Sequence, residues 1–160
     1  DGSDIRVAVH HTLWRRGGHH PNWMPNGERI LMNLTPKDTL RFCTFRYDGS
    51  DLRVPSETIR GSGHPAFEKT ERFIFTDTYP NEPTAPGDGS VAMRLIDTQR
   101  NEEKRVATIF ALGRVNPAVL RLDPHPAWSR DGLKSCFNGA PEGRRQVFIA
   151  DLSGLLGYAL

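Results

Sequence analysis

Three times in this chain a histidine-proline pair stands at a fixed distance before an aromatic residue, and each copy leads into a turn and an apolar strand pattern. The copies are His20-Pro21-Asn22-Trp23, His64-Pro65-Ala66-Phe67 and His125-Pro126-Ala127-Trp128. Behind them run Pro25-Asn26-Gly27 before Arg29-Ile30-Leu31-Met32, Lys69-Thr70-Glu71 before Arg72-Phe73-Ile74-Phe75, and Arg130-Asp131-Gly132 before Lys134-Ser135-Cys136-Phe137. The intervals of 44 residues (His20 to His64) and 61 (His64 to His125) lie near the roughly 40 to 50 residues of a four-stranded propeller blade, the second carrying an insertion. Equivalent positions in successive blades face the same end of the propeller axis, so the repeat predicts that its three histidines gather at one mouth.

An all-β fold follows, a β-propeller fragment of about three four-stranded blades over residues 19–60, 61–112 and 122–155. The first blade is expected to hold strands near Pro21 to Trp23, Arg29 to Leu34, Leu40 to Tyr47 and Leu52 to Thr58. The second holds them near Pro65 to Phe67, Arg72 to Asp77, Val91 to Asp97 and Glu103 to Phe110. The third has Pro126 to Trp128, Leu133 to Asn138 and Gln146 to Leu152, without a clear fourth. Residues 1–10 read as the outer strand of a preceding blade, since Ile5 to Val9 alternates and Asp1-Gly2-Ser3-Asp4 resembles the turn Asp48-Gly49-Ser50-Asp51. Tyr79 to Ser90 and Leu112 to Pro124 are the long loops, the first a surface excursion. Three blades are too few to close a ring. A parent with further blades, seven in all, is therefore expected, and the opening residues contain neither a start methionine nor a signal peptide.

Composition excludes several classes. A formal charge of +2 with dispersed arginines offers no stripe for nucleic acid. No apolar run is long enough for a membrane helix. Cys43 and Cys136 lie in apolar strand patterns and are expected to be buried free thiols, two cysteines being too few for a secreted disulfide scaffold. A cytoplasmic setting is expected, with the periplasm left open.

The residues themselves leave two readings of the histidines. A histidine on the inner strand of a blade can simply satisfy backbone groups around the axis. Asp123, two residues before His125, adds a second ligand candidate on the same side of an extended strand and so points to a metal site. Trp23, Phe67 and Trp128 are expected between blades as core. Trp14, beside Arg15 and Arg16, is better placed to stack on a ligand. His10 and His11 fall outside the repeat and are expected at the surface, His19 is a loop neighbour of His20, and Tyr79-Pro80-Asn81-Glu82 reads as a plain loop with a rim role as the lesser option. Ser62 and Ser129 lack the sequence context of a nucleophile, which disfavours a peptidase.

The repeated His-Pro-x-aromatic, turn and apolar strand resembles the TolB-type propeller repeat. Its histidines, with Asp123-Pro124-His125-Pro126, more narrowly resemble the C-terminal part of the oligogalacturonate lyase family, seven-bladed propellers that cleave short pectic uronides by β-elimination with a divalent metal, usually manganese. The resemblance spans nearly the whole chain. It implies His20 as the general base and His64 and His125 as metal ligands, with Asp123 at the position of a further family histidine and Leu120 where the family has glutamine. Carboxylate oxygen still suits a hard divalent ion. Arg121, Arg16 and Trp14 are the expected substrate-binding residues, an acidic oligosaccharide (an oligogalacturonide) and the remaining blades the expected partners, and Mn2+ the expected cofactor. The competing reading is a non-catalytic TolB-like propeller that binds a protein or peptide at its mouth.

Overall fold

A computed structural model describes residues 2–110 and 122–157, in three antiparallel sheets with little helix. The first sheet has the order β1 (Gly18–Trp23), β2 (Arg29–Leu34), β3 (Arg41–Arg46). The second runs β4 (Ala66–Phe67), β5 (Phe73–Thr76), β6 (Ser90–Asp97), β7 (Glu102–Phe110). The third contains β8 (Ala127–Trp128), β9 (Lys134–Gly139) and β10 (Gln146–Asp151). Among the described residues two one-turn helices flank them, α1 (His11–Trp14) and α2 (Ser153–Leu156).

Period-two alternation decides how the sheets stack, because successive side chains of a strand leave on opposite faces. In the second sheet Phe73, Phe75, Val91, Met93 and Leu95 pack with Phe137 of β9 and with Leu152 and Leu156. The intervening Ile74 and Ile96 pack with Leu31 and Phe42 of the first sheet, Phe67 and Ile59. The middle sheet is thus buried on both faces. A third cluster, Met32, Leu34, Cys43 and Phe45, lies on the far face of the first sheet and is covered by Ala8, Val9, Leu13 and Val54.

The repeated aromatic packs each blade onto the one before it. Phe67 is buried in the cluster against the first sheet, and Trp128 packs against the middle sheet while its Nε1–H donates to Ala66 O at 2.9 Å. Trp23 departs from the expected core role: it is 57% exposed, because it pairs with Ile30 on the side where this chain supplies no preceding sheet. Cys43 is buried as expected, whereas Cys136 is exposed. Cys136 lies opposite Ile149 in the β9–β10 register, and Ser135 and Phe137 take the inward positions of β9.

Two expected strands do not form. Ile5 to Val9 makes no strand; Ile5 and Val7 are exposed, while Ala8 and Val9 lie against the first sheet. Leu52 to Thr58 contributes only a single bridge, Arg53 to Thr44. Pro55 has no N–H to give to a ladder, and Ser56 and Thr58 turn their hydroxyls to Asn101 instead. The remaining strands match the sequence reading within two to three residues at each end, and the third sheet stops at three strands. Leu112 to Pro124 falls almost wholly outside the described residues.

Candidate metal centre

Each sheet delivers one histidine to a common point, just ahead of or within its first strand. The His20 and His64 ring centroids are 3.9 Å apart, those of His64 and His125 are 3.5 Å apart in a stacked arrangement, and those of His20 and His125 are 6.0 Å apart. With Pro21, Asn22, Pro65, Pro126 and Ala127 they line an open cleft of about 410 Å³.

Local backbone geometry aims two of the rings. His20 and His125 have φ of +57° and +48°, in the left-handed region where residues other than glycine are uncommon, and strain of this kind concentrates at functional sites. The β1–β2 register slips by one residue between His19 and Asn22, a bulge that turns His20 out of the ladder. Asp123 to His125 is likewise not the extended strand expected from the sequence. The turn at His125, not strand alternation, brings its Nε2 to 4.0 Å from Asp123 Oδ2.

His64 is held from behind. Its Nδ1 lies 2.9 and 3.0 Å from the two carboxylate oxygens of Asp77, and its backbone N–H donates to Asp77 Oδ1 at 2.7 Å. A carboxylate only accepts, so Nδ1 carries a hydrogen and Nε2 is the ring atom left for a ligand. Gly63 makes this approach possible: at φ +58°, an added Cβ would stand 2.1 Å from the Asp77 carbonyl oxygen.

His64, Asp123 and His125 each offer a ligand atom within 4.8 Å of the others. Neighbouring ligands on a divalent ion stand about 3 to 3.5 Å apart, so the three side chains would have to close in by about 1 to 2 Å to share one ion. Two imidazoles and a carboxylate suit manganese and its first-row neighbours. Asp123 and His125 also line a second cavity of about 270 Å³ with Leu122, Asn138 and Arg145.

His20 stands beside this set and is held neutral. Burial first, and then the imidazoles of His64, His19 and His125, lower its pKa to about 4. His19 is lowered as well, chiefly by burial. It is a strand residue, its Nδ1 3.3 Å from Asn33 Nδ2.

The structure therefore brings together His20, His64, Asp123 and His125. Trp14 and Arg16 are not among the residues lining the cleft; Trp14 is in α1 and half-exposed, and Arg16 donates to Pro36 O at 2.6 Å. Leu120 and Arg121 lie outside the described residues. Two further residues join the site, one that the sequence reading did not place there and one for which it gave a rim role only as the lesser option. Asp77 is the first; Tyr79 is the second, its hydroxyl in contact with His20 Nε2 and 3.3 Å from His64 Nε2. Neither has a spacing signal, since each meets a histidine of another loop or strand. His10 and His11 are exposed, and His10 caps α1.

No family model and no curated protein matches the sequence. The fold does match solved structures. TolB from Acinetobacter baumannii superposes with a TM-score of 0.69 at 15% identity, covering 94% of this chain and 33% of that one. An oligogalacturonate lyase in complex with manganese gives 0.68 at 17%, over 94% and 39%. The oligogalacturonate lyase from Vibrio parahaemolyticus gives 0.69 at 14%, over 95% and 40%. These likenesses establish the fold as a stretch of β-propeller, and the chain spans a third to two fifths of the length of the proteins it matches.

Proposed function

We propose that these blades carry the metal-assisted base site of a lyase that cleaves short acidic oligosaccharides, oligogalacturonides being the first candidates. The observation that carries the reading is the convergence of His64, Asp123 and His125 within 4.8 Å, with both histidines lining an open cleft that His20 also lines. His64, Asp123 and His125 would hold a divalent ion, for which manganese is the leading choice. Such an ion, when bound, neutralises a uronate carboxylate and so acidifies the neighbouring C–H.

The protein's own part is proton transfer and placement. His20, neutral at working pH, takes the proton from the carbon next to the carboxylate. The electron pair left behind forms a carbon–carbon double bond as the β carbon–oxygen bond breaks and the glycosidic oxygen departs with its electrons. Burial and the neighbouring imidazoles keep His20 unprotonated and ready to accept.

The test is manganese binding and galacturonide cleavage by the full-length protein that carries these blades. His64→Ala and His125→Ala should each lose stoichiometric manganese. His20→Ala should keep it and lose turnover by a factor of about 10² to 10⁴, read as the absorbance of the unsaturated product. Absence of bound manganese in the unaltered protein would sink the mechanism. It would favour a non-catalytic binding propeller, a reading supported by the equal likeness to TolB.

A further inference from the structure

Asn33 is a fully buried amide on a strand face that is otherwise apolar. It stands in β2 two residues after Leu31 and opposite Phe42 in the β2–β3 register, and both of those pack in the cluster between the first and second sheets. Side chains two apart in a strand share a face, so the amide meets the segment that leads into His64. Its Nδ2 donates to Gly63 O at 2.8 Å, inside the fold, and stands 3.3 Å from His19 Nδ1. A carbonyl only accepts, which orients the amide. The amide oxygen lies by Gly61, where an added Cβ would stand 2.6 Å from it, and it has no hydrogen-bond partner among the described residues. A hydrocarbon side chain would fill this face without leaving a buried acceptor unpaired, so packing alone does not account for the amide.

The segment from Gly61 to His64 is gripped alternately from its two sides. The Gly61 N–H donates to Leu40 O at 2.9 Å and Gly63 O accepts from Asn33, both in the first blade. Ser62 O accepts from Thr76 Oγ1 at 2.8 Å and the His64 N–H donates to Asp77 Oδ1 at 2.7 Å, both in the second. Asn33 therefore holds the chain one residue before His64, while the same amide reaches His19, one residue before His20.

We infer that Asn33 is a positioning residue: acting through the Gly63 carbonyl, it sets how far His64 stands from the histidines of the first blade. The inference deepens the proposed function and rests on it only for the manganese reading below. The His20 and His64 ring centroids meet at 3.9 Å across the boundary between two sheets. Apolar burial has no direction and leaves such a distance loosely set. A buried hydrogen bond sets it closely, because it weakens steeply when misaligned.

Proton NMR of the full-length protein without metal reads the geometry. The unaltered protein should show strong nuclear Overhauser contacts between the His20 and His64 rings. Asn33→Ala should weaken or lose them while contacts within the cluster of Leu31, Phe42, Ile74 and Ile96 persist. Asn33→Ser, whose hydroxyl is too short to reach Gly63, gives the same readings should the alanine variant not fold; failure of both to fold would make Asn33 a determinant of the fold and overturn the inference. Phe42→Leu controls for loosened packing and should lower stability with the ring contacts in place. Ring contacts unchanged in a folded Asn33 variant, or lost equally in Phe42→Leu, also overturn it. Manganese titration is the second reading: Asn33→Ala should bind the ion about 10- to 100-fold more weakly, the range typical when a group behind a metal ligand is removed. Equal affinity in that variant sinks the inference. Should the unaltered protein bind no manganese, the proposed function falls, while the ring contacts still decide the role of Asn33.

Discussion

At the scale of single residues, the site is held by backbone conformations that side chains ordinarily avoid. His20 stands at positive φ directly before a proline, a combination that crowds the backbone on both sides. Conformations of this sort cost about 1 to 3 kcal/mol unless glycine adopts them. His20→Gly should therefore be more stable than His20→Ala by about 1 kcal/mol, compared by urea midpoints at fixed slope. Equal stabilities would show that no strain is stored there. The histidines were legible in the sequence because each is written once per repeat. Asp77 and Tyr79 were not, because they reach the site across 13 and 59 residues by way of a hairpin and a long loop, and nothing in local spacing records such a meeting.

At the scale of elements, buried polar groups specify the turns. Glu68 is fully buried at the β4–β5 hairpin. Its carboxylate accepts from Thr70 Oγ1 and from the backbone N–H groups of Thr70, Arg72 and Phe73. Burial alone would raise its pKa, but these hydrogen bonds outweigh burial and hold it below the ordinary 4.5. A carboxylate whose folded pKa is depressed stabilises the fold above its unfolded value. That stabilisation is lost as pH falls through the folded value. Glu68→Gln should cost about 1 to 3 kcal/mol at neutral pH and flatten the acid limb of the stability profile below pH 4.5; an unchanged limb would assign acid sensitivity to other carboxylates. The hairpins themselves were readable, β2 to the residue, because alternation and turn signals agree there. The fourth strand of the first blade was not, since Leu52 to Val54 carries strand-like residues but Pro55 ends any ladder.

At the scale of the whole molecule, the sheets are coupled through their faces. Phe75, fully buried, meets Phe137 and Trp128 edge to face at centroid distances of 6.4 and 5.8 Å. Phe75→Ala should cost about 3 to 5 kcal/mol. Trp128→Ala should also cost several kcal/mol, because it removes both packing and the bond to Ala66. Trp23→Ala, at the same place in the repeat, should change stability by no more than about 0.5 kcal/mol in this chain. Urea denaturation of the three variants checks the contrast. At the opposite end of the stack, Val147 and Ile149 are 71% and 72% exposed. The apolar faces at both ends are the ones a longer propeller would cover with its next sheets, as expected from the spacing of the repeat.

His20 comes from the first sheet, His64 from the second and His125 from the third, and only Asp123 and His125 are neighbours in the chain. The centre therefore depends on how the blades sit against one another and hardly at all on which peptide bonds join them. It is indifferent to the route by which the polypeptide visits its blades.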